Sequence, residues 1–308
     1  MGELPDLPHL PELPGRGPGS DLVGRAAGLL VDLHVDLQPS GWRLVDRPGR
    51  DERRASSYLS QDLDALEEAA VDYAGPLKVQ LAGPWTMLAA LQLPRGEPVL
   101  SDPGARRDVV ASLAEAIAGH VQEVRRRVPG SEVLVQLDEP SLPTVLAGRV
   151  RSMSGLTAFA PPSDAEAEAV LRDVVEAADG PVVVHCCAAE PPVALLRRAG
   201  AAAISLDLTL VGSALDDDLG AAVESGTRLF AGTVAPVDKD LSDLRASVDP
   251  VRSLWRRLGL GAGSLVGEDG RLVLTPSCGL AGASPQRALA VLRHCREAAR
   301  ALADDPEG

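Results

Sequence analysis

The chain has 308 residues, of which 45% are apolar, enough length and apolar content for a large buried core in one big domain or two average ones. Its net charge of −14 opposes docking on phosphate backbones or anionic lipid, so neither nucleic acid nor a membrane is expected as a partner. The apolar runs are too short to span a bilayer and the opening residues lack the basic and apolar regions of a signal peptide, which predicts a cytoplasmic protein.

In chain order, residues 1–20 are rich in Pro and Gly and read as a loop or arm. The "GRGPG" within them follows no strand and is a weak match to a phosphate loop. Short β-branched runs then predict strands at 41–45, 77–82, 132–138, 181–186, 202–207, 228–233 and 271–276. Helices are predicted between them. Ser101, Asp102 and Pro103 precede one amphipathic pattern, Ser163 a second, and Ser284 with Pro285 a third, each an N-terminal signal. Strands alternating with helices indicate parallel βαβ units. No Gly-rich turn follows the first strand and no long polar linker breaks the chain, so a single (β/α)8 barrel domain over 1–308 is expected ahead of an open α/β sheet.

In such a barrel the chemistry sits where strands end. Asp138, His185 with Cys187, Asp207 and Cys278 all fall at or just past strand ends. Four cysteines do not make a disulfide scaffold in a chain of this size, and clustered thiols in a reducing compartment point to a metal or to catalysis. Thiolate, imidazole and carboxylate are the ligands zinc takes in tetrahedral sites. His185 and Cys187 share one side of their strand by alternation, whereas Cys186 points the other way and reads as core, as does Cys295 in the last helix. Trp85 suits either a flat-ring pocket or the space between barrel and helix.

"LAGPWTML", "VQLDEPSL", "VHCC", "ISLD" and "TPSCGL" occur in this order from about Leu77 to Leu280, and together they resemble the catalytic domain of cobalamin-independent methionine synthase. That family belongs to the barrel superfamily that also contains uroporphyrinogen decarboxylase. The resemblance implies a short single-barrel methyltransferase in which zinc activates homocysteine as a thiolate for methylation to methionine. It also implies that His185, Cys187, Asp207 and Cys278 hold Zn2+ and that Asp138 binds the amino group of homocysteine.

The sequence departs from the family pattern in several places. Asp207 stands where the family has a glutamate ligand; Glu190 is a nearby substitute, but its position after two alanines is expected instead to start the next helix. The histidine expected after the seventh barrel strand is absent from "LFAGTVAPVD". The N-terminal half of the classical synthase, which completes the folate site, has no counterpart, so the methyl donor is either methylfolate or a corrinoid protein. The opening residues resemble the segment just after the family's first strand, and that strand is expected upstream of Met1. Two alternative functions remain: methyl transfer to a different small thiol, and a non-catalytic barrel that binds zinc or substrate.

Overall fold

The computed structural model of the protein describes residues 4–237, 240–241, 243–265 and 271–308. The first three residues of the expected arm lie outside these. Backbone contacts divide the chain into two compact units, Leu7–Val182 and Val183–Gly308, the latter joined by residues 4–6.

The first unit opens with α1 (Leu22–Ala27), a hairpin of β1 (His34–Gln38) and β2 (Gly41–Val45), and α2 (Arg50–Ala69). It continues through β3 (Gly75–Ala82), α3 (Pro84–Ala90), α4 (Pro103–Arg127), β4 (Ser131–Asp138), α5 (Leu142–Leu146) and α6 (Asp164–Ala177). β3 and β4 pair in parallel, with Gln80 opposite Gln136 and Ala82 opposite Asp138. The run at 41–45 is a strand but not a member of the parallel set, because β2 pairs antiparallel with β1 across Pro39 and Ser40. Gly41, at φ 131°, takes up the backbone conformation that this turn needs.

Part of the arm is ordered against β3. Lys78 donates its backbone N–H to Pro8 and Leu10 donates to Lys78, both at 2.9 Å, so residues 8–10 run beside β3 as a short parallel bridge. The arm is then tied down by charge. Arg16 holds Asp62 with two hydrogen bonds of 2.8 and 2.7 Å, and the buried Arg25 reaches Asp62 at 2.7 Å and Glu12 at 3.1 Å. Gly24 is required by close approach, since a Cβ there would sit 2.5 Å from the Trp42 ring.

The second unit receives β5 (Val182–Cys186) and proceeds through α7 (Val193–Arg198), β6 (Ala203–Asp207), α8 (Asp216–Glu224), β7 (Arg228–Val234), α9 (Leu244–Arg257), β8 (Leu272–Pro276) and α10 (Pro285–Asp304). β5, β6, β7 and β8 pair in parallel in that order. The protein is therefore an α/β fold of parallel strands followed by helices. The predicted caps are in place: Asp102, Ser163 and Ser284 each accept a backbone N–H of the first turn of α4, α6 and α10. Cys295 packs with Val234 and Val291 in the core, and burial pushes its thiol up to about 12. Among the described residues, no helix is long and apolar enough to cross a membrane.

His120 of α4 is buried with its Nε2 unpartnered among the described residues, and burial pushes its pKa down to about 4, aided by the charge of Arg25. A base whose folded pKa lies below the ordinary 6.5 stabilises the fold fully above 6.5, and that contribution is lost as pH falls toward 4. Urea unfolding of wild type between pH 7 and pH 4 should lose on the order of 3 kcal/mol more than His120→Leu does. Parallel pH profiles for the two proteins would rule this out.

Candidate metal centre and an acidic strand end

Parallel pairing puts His185 of β5 opposite Ser205 of β6. The His185 Nδ1 and the Ser205 hydroxyl are 2.9 Å apart, and both residues are buried, so the ring is held at one nitrogen and presents the other. Cys186, the next residue, is fully buried on the opposite side of the strand, and Cys187 emerges half-buried just past its end. These positions are what strand alternation dictates.

Cys278 arrives from the turn after β8. Ser277 donates its backbone N–H to Val234 at 2.9 Å, which fastens this turn to the end of β7. The approach depends on Gly232, where a Cβ would lie 2.6 Å from both the Cα of Ser277 and the carbonyl oxygen of Leu206. The ligand atoms of His185, Cys187 and Cys278 all lie within 4.8 Å of one another, and the two sulfurs are 3.5 Å apart. Tetrahedral zinc with bonds of about 2.3 Å to sulfur would set two thiolates roughly 3.8 Å apart, so this trio fits such an ion.

Charge within the trio is unevenly shared. The hydrogen bond from Cys187, followed by that from His185, pulls the Cys278 thiol down to about 4. The same contact with Cys278, followed by burial, pushes Cys187 up. Cys278 thus carries negative charge and Cys187 keeps the proton that a bound cation would displace.

Asp207 closes β6 but stands outside this group. Its Oδ1 accepts from the backbone N–H of Thr209 at 2.9 Å and from the Thr209 hydroxyl at 2.7 Å, capping the short turn Leu208–Leu210. Glu190 does not start a helix. It is exposed, with φ at +56°, and α7 begins only at Val193.

Asp138 ends β4 in the first unit, nearly buried, with Oδ1 accepting from Gln136 Nε2 at 2.7 Å. The neighbouring Glu139 is fully buried and takes three hydrogen bonds of 2.8 Å, from the backbone N–H groups of Trp85 and Thr86 and from the Thr86 hydroxyl. It clamps the first turn of α3 to the end of β4, where Gly83 also donates to the Asp138 carbonyl at 2.9 Å. Burial raises Glu139 to about 7 against the pull of those donors. Trp85 is fully buried, its Nε1 donating to Ala167 at 3.0 Å, so it fills space between α3 and α6.

Sequence reasoning missed two supports. Ser205 lies inside "ISLD", two residues before Asp207 and on the same side of β6, so strand alternation could have marked it as His185's neighbour. Glu139 lies inside "DEP", but its role as a clamp across strands needs the pairing of β3 with β4.

The fold and this trio define a parallel α/β protein with a soft-metal donor set at its strand ends. The family model for the cobalamin-independent synthase catalytic domain matches residues 14–301, and the chain belongs to that family. No curated protein matches it.

Gly83 bears directly on the acidic strand end, because a Cβ there would fall 2.6 Å from the Cγ, the Cδ and Oε1 of Glu139. Gly83→Ala should destabilise the protein by about 1–3 kcal/mol, as overpacking does, while leaving bound metal per chain unchanged. Calorimetric unfolding with elemental analysis on the same samples checks both halves.

Proposed function

We propose that this protein is a zinc-dependent methyltransferase that converts homocysteine to methionine, working in the cytoplasm as one (β/α)8-type barrel domain. The observation that carries the reading is the His185, Cys187 and Cys278 trio, found in a chain of the cobalamin-independent synthase family. His185, oriented by Ser205, would offer its other ring nitrogen, and Cys187 and Cys278 would offer sulfurs. Asp207 is the proposed fourth ligand, and it has to ligate through Oδ2 or release Thr209 from Oδ1.

A zinc ion in this set would supply the acidity that strips a substrate thiol of its proton at neutral pH. Asp138, steadied by Gln136, would hold the substrate's ammonium group. The homocysteine sulfur then forms a bond to the methyl carbon, while the bond between that carbon and its donor breaks and leaves its electron pair with the donor. The donor is methylfolate or a methylated corrinoid protein.

Elemental mass spectrometry of reduced, untagged protein should find about one zinc per chain, with most of it lost in Cys278→Ser. Ser205→Ala should keep the metal but bind it about tenfold more weakly in a competition titration with a chelator. A well-folded wild type without zinc sinks the reading. Methionine formation, assayed separately with each donor, confirms turnover, and homocysteine binding without product under either donor would replace the methyltransferase with a binding protein.

A further inference from the structure

The end of β7 departs from regular pairing. Gly232 and Val234 lie opposite the consecutive Thr275 and Pro276 of β8, so Thr233 between them is an extra residue, a β-bulge. The register carries the side of His185 across the sheet. His185 lies opposite Ser205, Asp207 stands two residues on from Ser205 and opposite Gly232, and Gly232 lies opposite Thr275. Thr275 therefore shares the side of His185. Val234 points the other way, packing against Val291 and Cys295 of α10, and alternation turns its neighbour Thr233 toward the side of His185 as well. The bulge thus brings a second hydroxyl, from the adjacent strand, to the strand ends that carry His185, Cys187 and Cys278.

The hydroxyl oxygens of Thr233 and Thr275 are both buried, and neither has a hydrogen-bond partner among the described residues. Burying a hydroxyl unpaired is costly, and a pair of them beside a donor set of sulfurs marks a place where a partner arrives. The neighbouring hydroxyls are already taken, Ser205 by His185 and Thr209 by Asp207. Two thiolates match the charge of a divalent ion, so any further anion leaves the centre negative. A thiol that enters as its thiolate brings that excess charge. A hydroxyl can donate to it while adding no charge of its own, and so competes with none of the ligands for the ion.

We infer that Thr233 and Thr275 donate hydrogen bonds to the sulfur of the thiol substrate as it joins the metal centre. This rests on the reading of the protein as a metal-dependent methyltransferase acting on a small thiol. It adds the part of the site that recognises the acceptor atom itself, whatever groups the rest of the thiol carries. The bulge is the device that supplies the second donor, since a regular strand would set one residue, Gly232, opposite Thr275 and give no hydroxyl there.

The test uses the full chain loaded with cobalt(II), whose sulfur-to-metal absorption band reports each added sulfur ligand, titrated with L-homocysteine and with n-propanethiol, which lacks the amino and carboxylate groups. In wild type the band should grow with either thiol. Thr233→Val and Thr275→Val should each weaken both thiols by about tenfold, the scale of one hydrogen bond to a charged group. Cobalt content should stay as in wild type, and the melting midpoint should be unchanged or higher, because an unpaired buried hydroxyl is exchanged for a methyl group. Thr233→Ser and Thr275→Ser keep the hydroxyl and should bind both thiols within about threefold of wild type. A lower melting midpoint or lost cobalt in the valine variants would mark a structural role and overturn the inference. Weakened binding of homocysteine alone would also overturn it, by assigning the hydroxyls to the amino-acid end, and so would unchanged thiol binding in the valine variants. Thiol binding that depends on both hydroxyls, with no methionine formed from either donor, would uphold the inference while the methyltransferase reading falls. Methionine formation with unaltered thiol affinity in both valine variants would do the reverse. A chain that takes up neither cobalt nor zinc ends both.

Discussion

The register between β5 and β6 is the constraint on which the candidate metal centre depends. With His185 set opposite Ser205, alternation sends Cys186 into the core and leaves Cys187 to leave the strand on the side of His185. A slip of one residue would exchange the imidazole for a core thiol and leave no mixed donor set. The third donor depends on a second constraint of the same kind. Gly232 lacks the one atom that would keep the turn bearing Cys278 away from β6 and β7. A histidine, two cysteines and a serine hydroxyl therefore converge through backbone geometry set by residues that themselves have no chemistry to perform.

The two strand-end clusters differ in the kind of charge they hold. The trio of the second unit is soft, with its two sulfurs 3.5 Å apart, a donor set suited to a borderline-soft cation. The end of β4 in the first unit is hard, its Asp138 carboxylate accepting from the Gln136 amide. Glu139 belongs to neither set. Fully buried and held by three donors, it joins "DEP" to "GPWT" and makes the end of β4 and the start of α3 one rigid piece. A carboxylate beside Asp138 thus serves to position the backbone from which Asp138 projects.

The parallel strands were readable as short, largely apolar runs bounded by turn signals, and their observed limits lie within two residues of those expected from sequence. The hairpin was not. "HVDLQ" alternates polar and apolar residues but has a single β-branched residue and ends two residues before "GWRLV", so β2 was counted alone among barrel strands when its partner is the antiparallel β1. The order in residues 8–10 was also hidden, since a Pro-rich stretch has no strand period and gains its place only from the edge of β3. At the site, alternation sufficed for His185, Cys186 and Cys187. It could not show that the Asp207 carboxylate, at the right strand end, would be engaged by Thr209 two residues on. Short-range capping by Asp competes with any distant partner and leaves no periodic signal.

The residues after β7 bear on which methyl donor the chemistry admits. Where the family pattern has a histidine, this chain continues through "APVD", and the carbonyl of Ala235 accepts from Arg287 of α10 at 3.1 Å. The Arg287 guanidinium thus fastens α10 to the backbone that follows β7. Methyl transfer from a folate nitrogen leaves an amine that must gain a proton, so that donor asks for an acid at this point. Transfer from a methylated corrinoid leaves its electron pair on cobalt and asks for none. An acid for a folate donor would therefore have to come from another element than the end of β7.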